Sequence, residues 1–426
     1  MESGLRGSRL ALRGVRVVDL TSMWAGPLCT RVLADLGAEV IKIEMPARPD
    51  GTRSNPGYFS WLNRNKLAVA LDLSVPAAKE CFKRLVKVSD VVVESFSSRV
   101  MKNLRLDYSV LRELKPDIVM LSMPAYGSSG PYANYVAYGP GLEASSGMAA
   151  ITGYRDGDPM LSGSAYGDPV AGMHGVVAVL AGLRCRRRTG KGQWIDLSQR
   201  EALSQMFGEV FVRAARGNND LAWGNRELTM VPHGCYRCRG DDRWIALAVG
   251  SDEEWRGLCQ VMGRAGLADD PRFASTEARR VNEDEVDRVV ELWTQQMERD
   301  EAMRVLQAAH LAAGVVMDAR DLANDPHLAA RGFFEIGMDV EGNWGAFPSL
   351  PWRVAGWARP HPNPLPEGEG TGPPLPLGEE TYPLPSVMEE RTGLKKPARA
   401  PRVGEHNRRV LGELLGLSDA EIEGLA

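Results

Sequence analysis

The chain of 426 residues lacks several features that would place it in a specialised class of protein. No apolar run approaches the length that spans a bilayer, and the N-terminal segment lacks the apolar core of a signal peptide, so we expect a cytoplasmic protein without a membrane partner. Its 51 basic and 55 acidic residues nearly balance, which gives no electrostatic reason to expect nucleic acid as a partner. The six cysteines are scattered through the chain, which excludes a disulfide framework.

Fingerprints of nucleotide and metal binding are also missing. Where a dinucleotide fold would carry Gly-x-Gly-x-x-Gly, the chain reads Ser22-Met-Trp-Ala-Gly-Pro27, which disfavours a nicotinamide-dependent dehydrogenase. The segment Thr189-Gly-Lys-Gly192 has the wrong spacing for a phosphate-binding loop. Cys235 and Cys238 form one Cys-x-x-Cys without a second pair. We interpret them as strand residues and expect no metal site.

What the sequence does have is an alternation of Val-rich strands and amphipathic helices over its first half. The predicted strands are residues 14–20, 39–44, 67–73, 90–94, 117–122 and 194–197. The helices predicted around them include 28–36, with Pro27 at its start, and a long helix over 200–213. This order predicts a doubly wound α/β fold with a parallel sheet, whose ligands bind outside the carboxyl ends of the strands.

Changes of composition along the chain indicate more than one domain, because 426 residues exceed the size at which a single core keeps growing. We expect the large domain to begin with residues 14–215, a small α+β domain over 225–320, and a return to the large domain over 321–426. Residues 360–401 hold 11 of the 27 prolines. Such a composition cannot bury a core, so we predict a surface insertion there.

Asp168 is the candidate nucleophile. It follows a Gly/Ser-rich loop and precedes the apolar run 175–183, so we predict that it caps this helix, with Pro169 at the first helical position. A free aspartate has a pKa near ~3.9, and a helix N-terminus favours its charged form by about 0.3–1 kcal/mol. Such a carboxylate attacks a carbonyl without a partner base. A cap with no catalytic role stays open, and the local sequence alone favours it.

Several segments, taken together in their order and spacing, resemble the class III CoA-transferases, also called the CaiB/BaiF family. They are Gly14–Leu20, Ala25–Pro27, Leu36–Glu44, Asn65–Lys66, Leu71–Asp72, Gly167–His174, Arg188–Gln193, Asp325–Phe333 and Gly404–Asn407. The resemblance covers nearly the whole chain. It implies the CoA-transferase family III fold, in which a Rossmann-like large domain and a smaller α+β domain form an interlocked homodimer.

The resemblance also implies an activity and its residues. The implied reaction is ping-pong transfer of coenzyme A from an acyl-CoA to a small carboxylic acid, through an aspartyl-CoA thioester on Asp168. Coenzyme A enters as the acyl-CoA substrate, no metal takes part, and Tyr138 is an active-site aromatic. The residues implied to contact coenzyme A are Met23, Trp24, Ala25, Leu71, Asp72, Ser95, Phe96 and Arg105.

Two other functions stay open on the sequence. Acyl-CoA racemases or epimerases share the fold, and the resemblance places their catalytic His where this chain has Tyr138. A phenol is a poor base at neutral pH, so transfer is favoured over racemisation. The third possibility is a non-catalytic acyl-CoA-binding protein in which Asp168 is only a cap.

Overall fold

The computed structural model describes residues 10–155, 157–218, 222–352 and 400–425. These residues divide into two compact units. The first takes its residues from Met1–Ala149, Leu161–Asn218 and Ala323–Ala426, and the second from Ala150–Met160 and Asn219–Leu322. The proline-rich segment predicted at 360–401 lies outside the described residues except for its last two.

A six-stranded parallel sheet lies at the centre of the first unit. Its strands are β1 (Arg16–Asp19), β2 (Glu39–Glu44), β3 (Lys66–Ala70), β4 (Val91–Glu94), β5 (Val119–Ser122) and β6 (Gln193–Asp196). The spatial order is β3-β2-β1-β4-β5-β6, and every neighbouring pair is parallel. This is the strand order of a doubly wound sheet, with its switch point between β1 and β4. The predicted α/β fold is confirmed.

The strands are apolar because both faces of the sheet are covered. Successive side chains point to opposite faces, so Val17 and Val91 belong to one hydrophobic core and their neighbours Val18 and Val92 to the other. Two helices, Ala25–Asp35 and Gly167–Thr189, complete the core on the Val17 face through residues such as Leu33 and Val176. Burial on both faces explains why short Val-rich runs were sufficient to predict the strands.

In the described part of the chain, ten α-helices precede the three-stranded sheet of the second unit. They are α1 (Ala25–Asp35), α2 (Pro56–Asn63), α3 (Pro76–Lys87), α4 (Val100–Leu104), α5 (Tyr108–Leu114), α6 (Gly139–Ser146), α7 (Met148–Ile151), α8 (Gly167–Thr189), α9 (Gln199–Ser204) and α10 (Gly208–Ala215). Helix α1 begins two residues before Pro27, at Ala25. The single helix predicted over 200–213 is wrong, because a 3-10 turn at Gln205–Phe207 separates α9 from α10.

The second unit is built on a three-stranded antiparallel sheet. Its strands are β7 (His233–Arg237), β8 (Trp244–Ala248) and β9 (Ala312–Val315), in the order β7-β8-β9. The helices that follow β8 are α11 (Asp252–Val261), α12 (Thr276–Val281), α13 (Glu283–Thr294) and α14 (Arg299–Ala308). Trp255 and Phe273 pack edge-to-face in its core. Strands β7 and β8 form an antiparallel hairpin, and the short strand β9 pairs with the other edge of β8.

The remaining elements are short. They are α15 (Ala319–Ala323), α16 (Pro326–Ala330), the antiparallel hairpin of β10 (Phe334–Met338) and β11 (Trp344–Pro348), a π-helical segment Arg408–Leu414, and α17 (Asp419–Glu423). None of the helices in the described part of the chain is long and apolar enough to cross a membrane. Cys235 lies in β7, Cys238 follows directly after it, and all six thiols are free.

Candidate active site

Asp168 lies in the first turn of α8, but it does not cap that helix. The helix begins at Gly167 and Tyr166 occupies the N-cap position, so the predicted placement of Asp168 as cap and of Pro169 as first residue is wrong. The reason is that the turn starts earlier, where the Asp168 N–H donates to the Ala165 carbonyl at 3.0 Å. The Asp168 side chain is therefore free to interact outside its own helix.

The carboxylate of Asp168 is bound by the ends of two other helices. It accepts hydrogen bonds from the backbone N–H groups of Ala25 and Gly139, which are the first residues of α1 and α6. Gly139 is so close that a Cβ atom there would lie 2.2 Å from Asp168 Oδ2. Free N–H groups at a helix N-terminus, together with the helix dipole, make a site for an anion. Two such sites meet at this one carboxylate.

Burial raises the pKa of the Asp168 carboxyl to about 6, and the charge of Glu143 adds to this effect. The N–H groups of Ala25 and Gly139 act in the opposite direction. The helix N-termini therefore do not outweigh the loss of water, contrary to the expectation of an ordinary aspartate pKa. Among the described residues no cation contributes to this balance. The carboxylate is still ionised at neutral pH, but it is poorly hydrated and more basic than a free aspartate.

Tyr58, on which the charge of Asp168 acts, belongs to a cluster of aromatic side chains. Trp24 contacts Tyr58 and Trp61 edge-to-face, with ring centroids 5.8 Å and 6.3 Å apart. Burial raises the pKa of Tyr58, and the charges of Asp168 and Asp50 raise it further. Tyr58 is thus a neutral phenol in the electrostatic field of Asp168. Burial of the carboxylate is the physical cause of the raised pKa of Asp168, and Tyr58 lies near enough for the charge of Asp168 to act on it.

The other residues predicted to contact coenzyme A follow neighbouring strand ends. Met23 lies in the turn after β1, where its φ is 68° and its side chain is exposed. Asp72 follows β3, and Ser95 and Phe96 follow β4. Leu71 differs from them, because its side chain is 1% exposed and belongs to the core. At that position only the backbone is available to a ligand.

Arg105 and Tyr138 are both exposed, in different settings. Arg105 ends α4 in the left-handed conformation, with φ of 58°. Tyr138 is 73% exposed and occupies the N-cap position of α6, directly before Gly139. The structure joins Ala25 to Asp168 by a hydrogen bond and places the backbone of Tyr138 next to the second donor. Of the other predicted residues, Met23, Asp72, Ser95 and Phe96 follow the carboxyl ends of strands.

Sequence reasoning missed three residues of this site: Gly139, Glu143 and Tyr58. Gly139-Pro140 at the start of α6 was an available signal, because proline is favoured in a first helical turn and glycine allows close approach of another group. Glu143 is a buried carboxylate on the same short helix. Nothing local marks Tyr58, whose position depends on the packing of α2.

Two buried ion pairs lie near the turn that carries Ala25. Asp19 at the end of β1 pairs with Lys66 at 3.0 Å, and Lys42 of β2 pairs with Asp50 at 3.0 Å. All four side chains are almost completely buried. A charge in the interior needs a partner and further hydrogen bonds, since an unpaired buried charge is very costly.

The two lysines also bind the turn itself. Lys42 Nζ donates to the Thr21 carbonyl at 2.7 Å, and Lys66 Nζ donates to the Pro27 carbonyl at 3.1 Å. These carbonyls lie on either side of Ala25. The ion pairs therefore fix the segment that presents the Ala25 N–H to Asp168.

A doubly wound sheet with a shielded carboxylate at its carboxyl edge defines an α/β protein with a candidate site for covalent chemistry. Comparison with known proteins gives the family. The family model for CoA-transferase family III matches residues 12–371, and the chain belongs to this family. The protein is an enzyme of the transferase type.

The relatives with established names include several CoA-transferases. Succinate–glutarate CoA-transferase of Agrobacterium fabrum is 30% identical over 418 residues, which cover 95% of each protein. Acetyl-CoA:oxalate CoA-transferase of Acetobacter aceti is 31% identical, with 82% of this chain and 91% of that protein covered. A probable CoA-transferase of Mycobacterium tuberculosis is 35% identical over 75% of this chain, which spans only 42% of that longer protein.

A solved structure supports the same family. The crystal structure of a CaiB/BaiF family protein from Brucella suis superposes with a TM-score of 0.78 and is 28% identical. The match covers 95% of this chain and 99% of that one. Both the sequence and the fold of this chain therefore resemble the family over nearly their full length.

Proposed function

We propose that this enzyme transfers coenzyme A from an acyl-CoA to a small carboxylic acid through covalent intermediates on Asp168. The observation that carries the proposal is the state of this carboxylate, which is shielded from water and bound by two backbone N–H groups. A carboxylate that is neither hydrated nor paired with a cation keeps its nucleophilicity. A purely structural carboxylate in such a position would gain stability from a cation.

In the first half-reaction, an oxygen of Asp168 attacks the thioester carbonyl of the acyl-CoA. The carbon–sulfur bond breaks, CoA leaves as the thiolate, and an acyl–aspartyl anhydride remains. The thiolate then adds to the Asp168 carbonyl of the anhydride and displaces the donor acid as its carboxylate. The product is an aspartyl-CoA thioester, and no proton is gained or lost in these steps.

In the second half-reaction, the acceptor carboxylate attacks the aspartyl-CoA thioester and the same steps run in reverse. When the thiolate adds to or leaves the Asp168 carbonyl, negative charge develops on an oxygen of that group. The N–H groups of Ala25 and Gly139 already bind this carboxylate, so they can stabilise the oxyanion with little reorganisation. Water must be excluded while the anhydride exists, and the rings of Trp24 and Tyr58 contribute to this.

The carboxyl edge of the sheet is the proposed binding surface for coenzyme A. The residues that we assign to it are Met23, Trp24, Ala25, Leu71, Asp72, Ser95, Phe96 and Arg105. This assignment follows the rule that ligands of doubly wound sheets bind outside the strand ends near the switch point, here between β1 and β4. Tyr138 is assigned to the acyl group, because it precedes the Gly139 donor. Small carboxylic acids are proposed as acceptors because the named relatives act on succinate, glutarate and oxalate.

The active form is proposed to be a cytoplasmic homodimer. Six free thiols suit a reducing compartment. The residues Met173, Val177 and Leu180 of α8 follow each other at helical spacing and are exposed. Such an apolar stripe is typical of a surface that a second protein surface covers, and we assign it to a second copy of the chain.

Mass spectrometry after incubation with an acyl-CoA tests the covalent step. We expect a peptide containing Asp168 to carry the added mass of coenzyme A, and hydroxylamine to convert it to the hydroxamate. Asp241→Ala, a change of an exposed aspartate in the β7–β8 turn, serves as the control and should be labelled like the original protein. A panel of acyl-CoAs and free acids then identifies donor and acceptor by exchange of CoA.

The same experiment separates the alternatives. Exchange of the α-hydrogen of the acyl group for deuterium without CoA transfer would support a racemase or epimerase. Binding of acyl-CoA with neither adduct nor exchange would support the non-catalytic binding protein. Either result would contradict the proposal.

A further inference from the structure

Glu143 is a buried carboxylate that the transfer reaction does not use. It lies in α6, four residues after Gly139, so both residues are on the same face of this helix. The residue is 1% exposed. A carboxylate in the interior without a cation is unusual unless several donors bind it.

In the described part of the chain, the donors that bind the Glu143 carboxylate come from the loop that leads to Asp168. Its Oε1 accepts hydrogen bonds from the Tyr166 N–H at 2.6 Å and from the Ser162 hydroxyl at 2.6 Å. Its Oε2 accepts the Ser162 N–H at 2.8 Å. One carboxylate therefore binds both ends of the segment 162–166, and Asp168 follows two residues later.

The segment between these two anchors contains an unfavourable conformation. Ala165 has a φ of 49°, in the left-handed region that a residue with a Cβ rarely adopts. It also packs tightly on α6, because a Cβ on Gly139 would come within 2.4 Å of Ala165 Cβ. Backbone strain of this kind persists only where the surroundings hold it in place, and it is frequent at functional sites.

We propose that Glu143 is a positioning residue for the nucleophile, because it holds the strained turn 162–166 and thereby sets the direction in which the Asp168 side chain leaves α8. This inference rests on the proposed function. The hydrogen bonds from Ser162 and Tyr166 fix the turn on both sides of Ala165, while α6 presents the Gly139 N–H to the carboxylate that the turn delivers. A single short helix thus holds both the loop and its nucleophile.

The charge of Glu143 gives this role a measurable signature. Burial opposes ionisation of Glu143, but its hydrogen bonds with Ser162 and Tyr166 keep its pKa below the usual value, so it is a fixed negative charge at neutral pH. Among the described residues, the groups that shift the pKa of Asp168 are Glu143 from α6 and two backbone donors, and the charge of Asp168 in turn raises the pKa of the neutral Tyr58 from α2. Removal of the Glu143 charge should therefore make Asp168 a stronger acid.

The test compares Glu143→Gln with Glu113→Gln, a change of an exposed glutamate on α5. We expect Glu143→Gln to slow the single-turnover labelling of Asp168 by roughly tenfold or more, since small misplacements of a reacting group are costly. The KM for acyl-CoA should stay within about threefold, because the variant leaves the binding surface for coenzyme A unchanged. The acidic limb of kcat/KM should move to lower pH by about half a unit. Glu113→Gln should change none of these values.

A second variant keeps the test informative if Glu143→Gln lowers the yield of folded protein. Ala165→Gly removes the strain at φ of 49°, since glycine adopts this region readily. In the Glu143→Gln background it should restore part of the lost labelling rate, which a defect of general stability would not allow. Ser162→Ala should also lower the labelling rate, but it should not shift the acidic limb of kcat/KM.

The outcomes distinguish the two proposals. If the unaltered enzyme forms no adduct at Asp168, the proposed function fails. If it forms the adduct and Glu143→Gln does so at the same rate with the same pH dependence, the positioning role is overturned. A slower rate with no change in the pH limb and no rescue by Ala165→Gly would also overturn it.

Discussion

Two aspartates near the carboxyl edge of the same sheet are held in opposite ways. Asp19 is completely buried, and its carboxylate is bound by Lys66 and by the hydroxyls of Thr21 and Thr30. Asp168 is half-buried and receives only backbone N–H groups. One carboxylate is neutralised by a cation, while the other is not.

Their acid strengths differ accordingly. Burial opposes ionisation of Asp19, but the charges of Lys66 and Lys42 outweigh it and bring its pKa below the usual value. Burial raises the pKa of Asp168 to about 6, because no cation among the residues that the structure describes compensates for the lost water. This difference supports the proposal that Asp19 stabilises the fold while Asp168 takes part in the chemistry. The ion pair neutralises the charge of Asp19, whereas Asp168 is a more basic carboxylate without a cation partner among the described residues, as its proposed role as nucleophile requires.

The largest expected effect is on turnover. Asp168→Ala should lower kcat by about 10³-fold or more, as removal of a covalent nucleophile does, and should leave the melting temperature within a few degrees. Steady-state kinetics and a thermal melt measure the two quantities. Asp241→Ala is the control for each. Substantial residual turnover in Asp168→Ala would show that the two aspartates do not differ in the way described.

At Asp19 we expect a substitution to lower the stability of the fold. Asp19→Asn leaves Lys66 as a buried charge without its carboxylate, so the free energy of unfolding should fall by about 3–5 kcal/mol. Because the folded pKa of Asp19 lies below its unfolded value, this contribution is complete at neutral pH and is lost only as the pH falls below about 4. Urea unfolding at pH 7 measures it. A stability equal to that of the original protein would contradict the structural role.

A smaller effect is expected where Asp168 meets α6. In Gly139→Ala the new Cβ would lie 2.2 Å from Asp168 Oδ2, so the carboxylate or the helix must move. We expect a loss of about 10²-fold in kcat and a loss of about 1–3 kcal/mol in stability. Gly141→Ala in the same helix is the matched control, because its nearest neighbour is Ala137 Cβ at 3.3 Å. Equal activity of the two variants would contradict the geometry.

The smallest effect is on the pH profile of the unaltered enzyme. The free enzyme needs an ionised Asp168, so kcat/KM should fall on the acidic side with an apparent pKa of about 6. Well below that value the rate should fall about tenfold for each pH unit. An acidic limb near the pKa of a free aspartate would mean that burial does not act on this carboxylate. Substrates whose own groups do not titrate in this pH range allow the acidic limb of kcat/KM to be assigned to Asp168.

Much of this protein follows from local sequence. The parallel strands were predictable because Val-rich runs bounded by turns behave alike in most folds, as in Val91–Glu94. The hairpin of β7 and β8 and the capping box of Ser418 and Glu421 are local features of the same kind. The choice of Asp168 as the candidate also came from the sequence, through the resemblance to the family.

Only the tertiary structure decided what surrounds Asp168. Its donors, Ala25 and Gly139, are separated from it by 143 and 29 residues, and its neighbouring charge, Glu143, by 25. Local sequence favoured a cap, whereas the packed structure directs the side chain away from its own helix. The physical reason is that hydrogen bonds and desolvation depend on the atoms within a few ångströms, and those atoms come from distant parts of the chain. The sequence determined the strands and the position of the proposed nucleophile along the chain, and the packing of helices α1, α6 and α8 determined the environment of its carboxylate.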